Sequence, residues 1–237
     1  MTLPERLVIP DFEEWGMTAF TTARAAGSYG THAEEPVSAV LGRWHALVGA
    51  VAALGAPQFA TAAQVHGDRI VAHGSGWEGW LRAPAADGHA WLHRGVAAAV
   101  TVADCVPVFI GHPSGAGALL HSGWRGTVAG ITEQAIAWFA GQGLAPGALR
   151  VHLGPSICGA CYEVSPDVYA QLTGSTVQLP TRVDLRALIA DRCRRLGVRE
   201  VATSAWCTRC APAALFSHRG GDPGRQLGVL ITPATRK

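Results

Sequence analysis

Residues 96–110 are almost continuously apolar, with Asp104 and Pro107 as the main interruptions. Those two residues rule out a membrane span, which needs about 20 consecutive apolar residues. They divide the stretch into two strand-sized runs, 96–102 and 106–110. Neither run alternates polar with apolar, the pattern of strands covered on both faces. Similar runs occupy 118–121, 151–154, 201–205 and 227–231. Helical patterns lie between them. Val37, Val40, Leu41, Trp44, Leu47, Val48, Val51 and Leu54 recur at helical spacing, with Pro36 before them and Gly55 and Pro57 after. A second pattern covers 127–142 and is closed by Gly143. A third starts at Asp184 as N-cap and stops at Gly197. The turn residues His112, Pro113, Ser114 and Gly115 predict a hairpin.

Composition narrows the function classes. With 49% hydrophobic and 15% charged residues among 237, the chain can bury a large core. The formal charge of +2, without a basic run, argues against a nucleic-acid partner. Residues 1–11 lack the basic start and apolar core of a signal peptide, so a cytoplasmic location and reduced thiols are expected.

Three short stretches carry the chemistry: Gln64-Val65-His66-Gly67, Ala103-Asp104-Cys105-Val106-Pro107 and His121-Ser122-Gly123-Trp124-Arg125-Gly126. They offer His66, Cys105 and His121. Two imidazoles and a thiolate suit a catalytic zinc whose fourth position stays open. The predicted hairpin brings Cys105 and His121 to the ends of neighbouring strands, and His66 must arrive from elsewhere. After His121, a glycine-rich turn opening a helix, together with Arg125, favours an anion. Asp104 has two readings, a group that moves protons or a carboxylate that orients the neighbouring thiolate.

A metal-free reading uses the same residues, with Cys105 as a nucleophile activated by His121 in an amide hydrolase. A copper oxidase is a poorer match. The only methionines are Met1 and Met17, and none of the ten histidines forms a His-x-His pair. Copper can nonetheless enter such a site in vitro, since it outcompetes zinc at most nitrogen and sulfur sites. Cys158-Gly-Ala-Cys161 and Cys207-Thr-Arg-Cys210 are two CxxC pairs, read as reduced structural thiols in preference to a second zinc site. Trp77, Trp80 and Trp91 could form a binding surface, but such aromatics more often pack a core.

The three stretches, followed by Gly154-Pro155-Ser156-Ile157, Cys161-Tyr162-Glu163-Val164, Cys207-Thr208, Phe216-Ser217-His218-Arg219 and Gly224-Arg225-Gln226, resemble the bacterial laccase-domain family. That family is also described as multicopper polyphenol oxidases and as purine nucleoside phosphorylases. Its N-terminal Thr-Arg-x-Gly-Gly-x-Ser is matched loosely, around Thr22, Arg24, Gly27 and Ser28, and the stretch after Asp87 departs from its usual apolar continuation. The resemblance implies a single domain over 1–237 of α/β (α+β) class, a cysteine-hydrolase-like laccase-domain fold with mixed sheets flanked by helices. It implies zinc on His66, Cys105 and His121. The implied reactions are phosphorolysis of adenosine, guanosine, inosine and methylthioadenosine, with adenosine deamination beside it. Arg125 and Arg24 would then hold phosphate, and Asp104 or Glu163 would move protons in deamination. A peptidoglycan-precursor amidase is the alternative that the same family suggests. The expected partners are a purine nucleoside and phosphate, with neither nucleic acid nor membrane, in a monomer or small homo-oligomer.

Overall fold

The computed structural model describes residues 2–31 and 34–235. Two six-stranded mixed sheets lie at its centre. The first runs, in spatial order, Arg6–Ile9, Thr18–Thr22, Gln226–Thr232, Val96–Val102, Gln58–Ala62 and Gly79–Ala83. The second runs Glu200–Thr203, Arg150–Leu153, Val106–Gly111, Gly117–Ser122, Gly88–Trp91 and Ile70–His73.

The unbroken apolarity of Val96–Val102 now has its cause. Val96, Ala98, Val100 and Val102 share one core with Phe109 and Leu119 of the second sheet, so they face across the sheet–sheet interface. Ala97 and Ala99 point the other way, into a core shared with Val40, Trp44, Leu47 and Val51 of the helix Val37–Ala53. In the second sheet, Val106, Val108 and Ile110 pack against Ile131, Ala135, Ile136, Phe139 and Ile189 of the helices Ile131–Gly141 and Leu185–Arg195. The order is helix, sheet, sheet, helix, with three cores between the layers. Each fully buried Val, Leu or Phe side chain contributes roughly 1.5–3 kcal/mol through removal from water.

The expected strands, the hairpin, and the first and third helices are present, with small shifts at their ends. Asp184 does cap its helix, accepting from the Ala187 amide. The helix predicted over 127–142 is instead two helices, Trp124–Ala129 and Ile131–Gly141. Gly130, at φ 79°, ends the first in the left-handed region that glycine enters without steric cost and starts the second. The helix Pro166–Thr173 and the strands before residue 92 are further elements that periodicity did not single out. Gly88–Trp91, for example, is fully buried yet contains no β-branched residue. No helix among the described residues is long and apolar enough to cross a membrane.

Candidate metal centre

Successive strands Val96–Val102 and Val106–Gly111 belong to different sheets, so residues 103–105 are the crossing between them. Asp104 makes the crossing with φ 88°, a conformation that a short polar residue tolerates better than most. Its carboxylate accepts from Thr208 Oγ1 at 2.5 Å, Ser217 Oγ at 2.8 Å and the Arg219 amide at 2.6 Å. Cys105 is thereby held at the head of its strand. His121 lies opposite Pro107 in the antiparallel hairpin, which brings its imidazole beside the Cys105 thiol.

His66 comes from the loop after Gln58–Ala62 and also has positive φ, 61°. Gln64 clamps this loop to the neighbouring strand. Its Nε2 donates to the Thr101 carbonyl at 2.8 Å, and its Oε1 accepts from the Thr101 amide and hydroxyl at 2.7 and 2.8 Å. Asp87, fully buried, completes the support. Its carboxylate accepts from the amides of Val65, His66 and Gly67 at 3.1, 3.0 and 2.8 Å and from His121 Nδ1 at 2.8 Å. A carboxylate deprived of its proton can only accept, so Nδ1 carries a hydrogen towards Asp87 and Nε2 is the His121 nitrogen left to meet Cys105 or, once deprotonated, a metal ion.

Sequence reasoning missed Asp87 as a site residue. Its weak signal was a lone buried acid beside Gly88, more than thirty positions from its partner.

The donor atoms of His66, Cys105 and His121 lie within 4.8 Å of one another. The two rings meet edge to face with centroids 4.8 Å apart. Burial opposes charge on Cys105, but the adjacent His121 charge and hydrogen bonds from both histidines draw the thiol below its ordinary value. Burial likewise opposes charge on His121, while the Cys105 thiolate and Asp87 raise it. Gly123 leaves room for the donors, because a Cβ there would sit 2.9 Å from Cys105 Sγ and 3.5 Å from His66 Cδ2. A soft thiolate, two imidazoles, a carboxylate behind one imidazole and a space cleared of side chains together fit a metal ion. His121 is buried and His66 exposed, so the group opens to solvent on one side.

These three residues line a cavity of about 790 Å³. Its charged lining among the described residues comprises Arg82, Arg125, Arg219 and Arg225 against one carboxylate, Asp104. Arg125 is exposed and lies over the Trp124 ring at 4.4 Å. Trp44 and Trp80, stacked with centroids 5.2 Å apart, also line the cavity. Trp91 is wholly buried, so Trp77, Trp80 and Trp91 do not form one surface.

Arg24 and Glu163 are not brought to this lining. Arg24 donates to Asp222 Oδ2 at 2.7 Å and to the Leu215 carbonyl, with its guanidinium over Phe216. Glu163 is exposed in the short strand Glu163–Val164, and its carbonyl accepts from Arg219. The two CxxC pairs, by contrast, converge, and all four sulfurs lie within 4.8 Å of one another.

A double-sheet α+β fold with an open two-histidine, one-cysteine centre defines a class of protein able to hold a metal ion at the crossing between its sheets. The profile of the family described as multi-copper polyphenol oxidoreductase laccase matches residues 21–233, and the chain belongs to that family. It is 36% identical over 179 residues to a purine nucleoside phosphorylase of Streptomyces coelicolor, covering 70% of this chain and 72% of that protein. It is 31% identical over 194 residues to a purine nucleoside phosphorylase of Deinococcus radiodurans, covering 77% and 74%. The crystal structure of YlmD from Geobacillus stearothermophilus superposes with a TM-score of 0.87 at 26% identity, covering 98% of each chain.

Proposed function

We propose that this protein is a zinc-dependent purine nucleoside phosphorylase acting on adenosine, guanosine, inosine and methylthioadenosine. The observation that carries the proposal is the placement of three soft donors in a cavity whose charged lining is four arginines and one carboxylate. The phosphorylase relatives supply the nucleoside. A zinc ion on His66, Cys105 and His121 would supply Lewis acidity beside the substrate.

The chain's own residues do the positioning. Arg125, exposed and with its guanidinium carbon 4.4 Å from the Trp124 ring centroid, can clamp a phosphate through two parallel hydrogen bonds. Trp44 and Trp80 offer the purine an apolar wall. Asp104 holds its own loop, since three donors already occupy its carboxylate. With Asp104 so engaged and Glu163 outside the lining, neither carboxylate expected to move protons in deamination is free in the cavity, and deamination stands as a side activity beside phosphorolysis.

One observation favours a second reading, an amidase. Asp87, His121 and Cys105 form a line in which a carboxylate orients an imidazole beside a thiol, the arrangement of a cysteine nucleophile and its base. His66 distinguishes the two, being a necessary donor for zinc and superfluous for the triad.

The deciding experiment incubates adenosine with and without phosphate, using wild type, Cys105→Ala and His66→Ala. Phosphate-dependent release of adenine, lost in both variants, is expected. Inosine formation would identify deamination. No turnover of any purine nucleoside by zinc-loaded protein would overturn the proposal.

A further inference from the structure

The four cysteines outside the candidate centre and the core form a cluster that packing does not explain. Cys193, the remaining cysteine, is wholly buried among apolar residues and serves as a small hydrophobe. Cys158, Cys161, Cys207 and Cys210 belong to none of the three apolar cores. Burial falls across the group, from buried Cys207 through half-buried Cys158 and Cys161 to exposed Cys210. Yet two loops 49 residues apart bring their sulfurs within 4.8 Å of one another, with Cys161 and Cys210 at 3.4 Å.

From this convergence we infer a second metal site, in which Cys158, Cys161, Cys207 and Cys210 hold a structural zinc ion as a tetrathiolate. A tetrahedral centre with Zn–S bonds of about 2.3 Å places its sulfurs about 3.8 Å apart, within the spread seen here. A disulfide needs its sulfurs at about 2.05 Å, well inside the 3.4 Å between Cys161 and Cys210. All four positions would be filled by protein, leaving none for substrate, so the site is structural in kind.

The surroundings suit a thiolate cluster. The Cys158 amide donates to Cys207 Sγ at 3.3 Å. A tight turn closes the first pair, with the Cys161 and Tyr162 amides donating to the Cys158 carbonyl at 2.9 and 3.0 Å. In the second pair the Ala211 amide donates to the Cys207 carbonyl at 3.1 Å. Four thiolates on a divalent ion leave two net negative charges, and Arg209 lies beside them, donating to the Cys161 carbonyl at 3.3 Å. Exposed Cys210 gives the ion a way in.

The position gives the site a purpose. Ser156 bridges Cys207, the Ile157 amide donates to the Asp104 carbonyl, and Thr208 donates to the Asp104 carboxylate. Ile157 and Tyr162, on either side of the first pair, line the cavity. An ion here fastens two loops to each other and both to the residue that sets the backbone before Cys105. This site rests on its own four residues and stands or falls independently of the nucleoside reaction.

The test measures zinc per chain by mass spectrometry on full-length protein purified without chelator. Wild type is expected to hold two ions, Cys158→Ser/Cys210→Ser one, and His66→Ala/Cys105→Ala one. Cobalt loaded into the last variant should give the strong visible and near-ultraviolet bands of a tetrahedral tetrathiolate, a readout that does not depend on the cysteine variant folding. No ion in zinc-saturated His66→Ala/Cys105→Ala, iron in place of zinc, or a denatured thiol count showing these cysteines already paired as disulfides would each overturn the assignment.

Discussion

The Asp87 carboxylate accepts from Nδ1 of His121 at 2.8 Å while also gathering the amides of residues 65–67. One buried charge therefore fixes both the tautomer of one candidate ligand and the loop that carries another. Burial works against that charge, yet the bonds from His121 and the loop amides hold the carboxyl below its ordinary range.

Asp87→Asn should weaken zinc binding about 10–100-fold, the usual cost of losing a carboxylate behind a ligating histidine. The amide can still accept one bond but can also present Nδ2–H to His121, favouring the wrong tautomer. Competition against a chromogenic chelator measures the change. Unaltered zinc affinity would show that Asp87 serves the loop alone.

Gly123→Ala tests the space around the donors. The backbone φ of −80° accepts alanine, so folding should be intact. The new Cβ would sit 2.9 Å from Cys105 Sγ, and moving a ligand by even a fraction of an ångström loosens a site of this kind. Circular dichroism should be unchanged while roughly tenfold or more of the zinc affinity is lost.

Arg125→Ala should raise KM for phosphate roughly 10–100-fold, since a charge-assisted hydrogen bond contributes about 1.5–3 kcal/mol. The nucleoside KM should change much less. Arg24→Ala, by contrast, removes the ion pair with Asp222 and should leave the phosphate KM near that of wild type. Initial rates at varied phosphate distinguish the two arginines.

Acid sensitivity is expected from His73 and His89, which share a hydrogen bond of 3.0 Å in the interior. Burial, with repulsion from His93, lowers His73 to about 4, and burial, with repulsion from His73, lowers His89 to about 3. Because these values lie below the unfolded value of about 6.5, the unfolded chain binds more protons as pH falls. Both are neutral in the folded protein above pH ~6.5, and stability drops below it until the folded values are reached. Between pH 7.5 and 5.5 the loss should be roughly 3 kcal/mol, about half of it from each histidine. Urea unfolding at the two pH values, repeated with His89→Gln, checks this. The variant should lose less stability on acidification than wild type does.

The candidate metal donors were legible because each sits in a short stretch whose turn chemistry announces a strand end or a helix start. Pro107 after Cys105 and the glycines after His121 mark such ends without reference to the rest of the fold. Gln64 lay inside a recognised stretch, but its role as a clamp depends on a strand 37 positions away. Arg24 was legible only as a motif position, and its partner Asp222 diverts it from the cavity. The break at Gly130 was hidden because the apolar period continues through it on both sides.

The sequence by itself determined the doubly buried strands, the hairpin that joins Cys105 to His121, and the three soft donors. These follow from period, turn residues and side-chain chemistry within windows of a dozen residues or so. Tertiary structure alone decided that consecutive strands would part into two sheets at Asp104, that Asp87 would stand behind His121, and that two CxxC pairs would meet. Those outcomes rest on hydrogen bonds and sulfur contacts between residues 34, 49 and 104 positions apart. No local pattern encodes such distances. They are set when the layers pack, because only then must buried carboxylates and thiols find the partners that water had supplied.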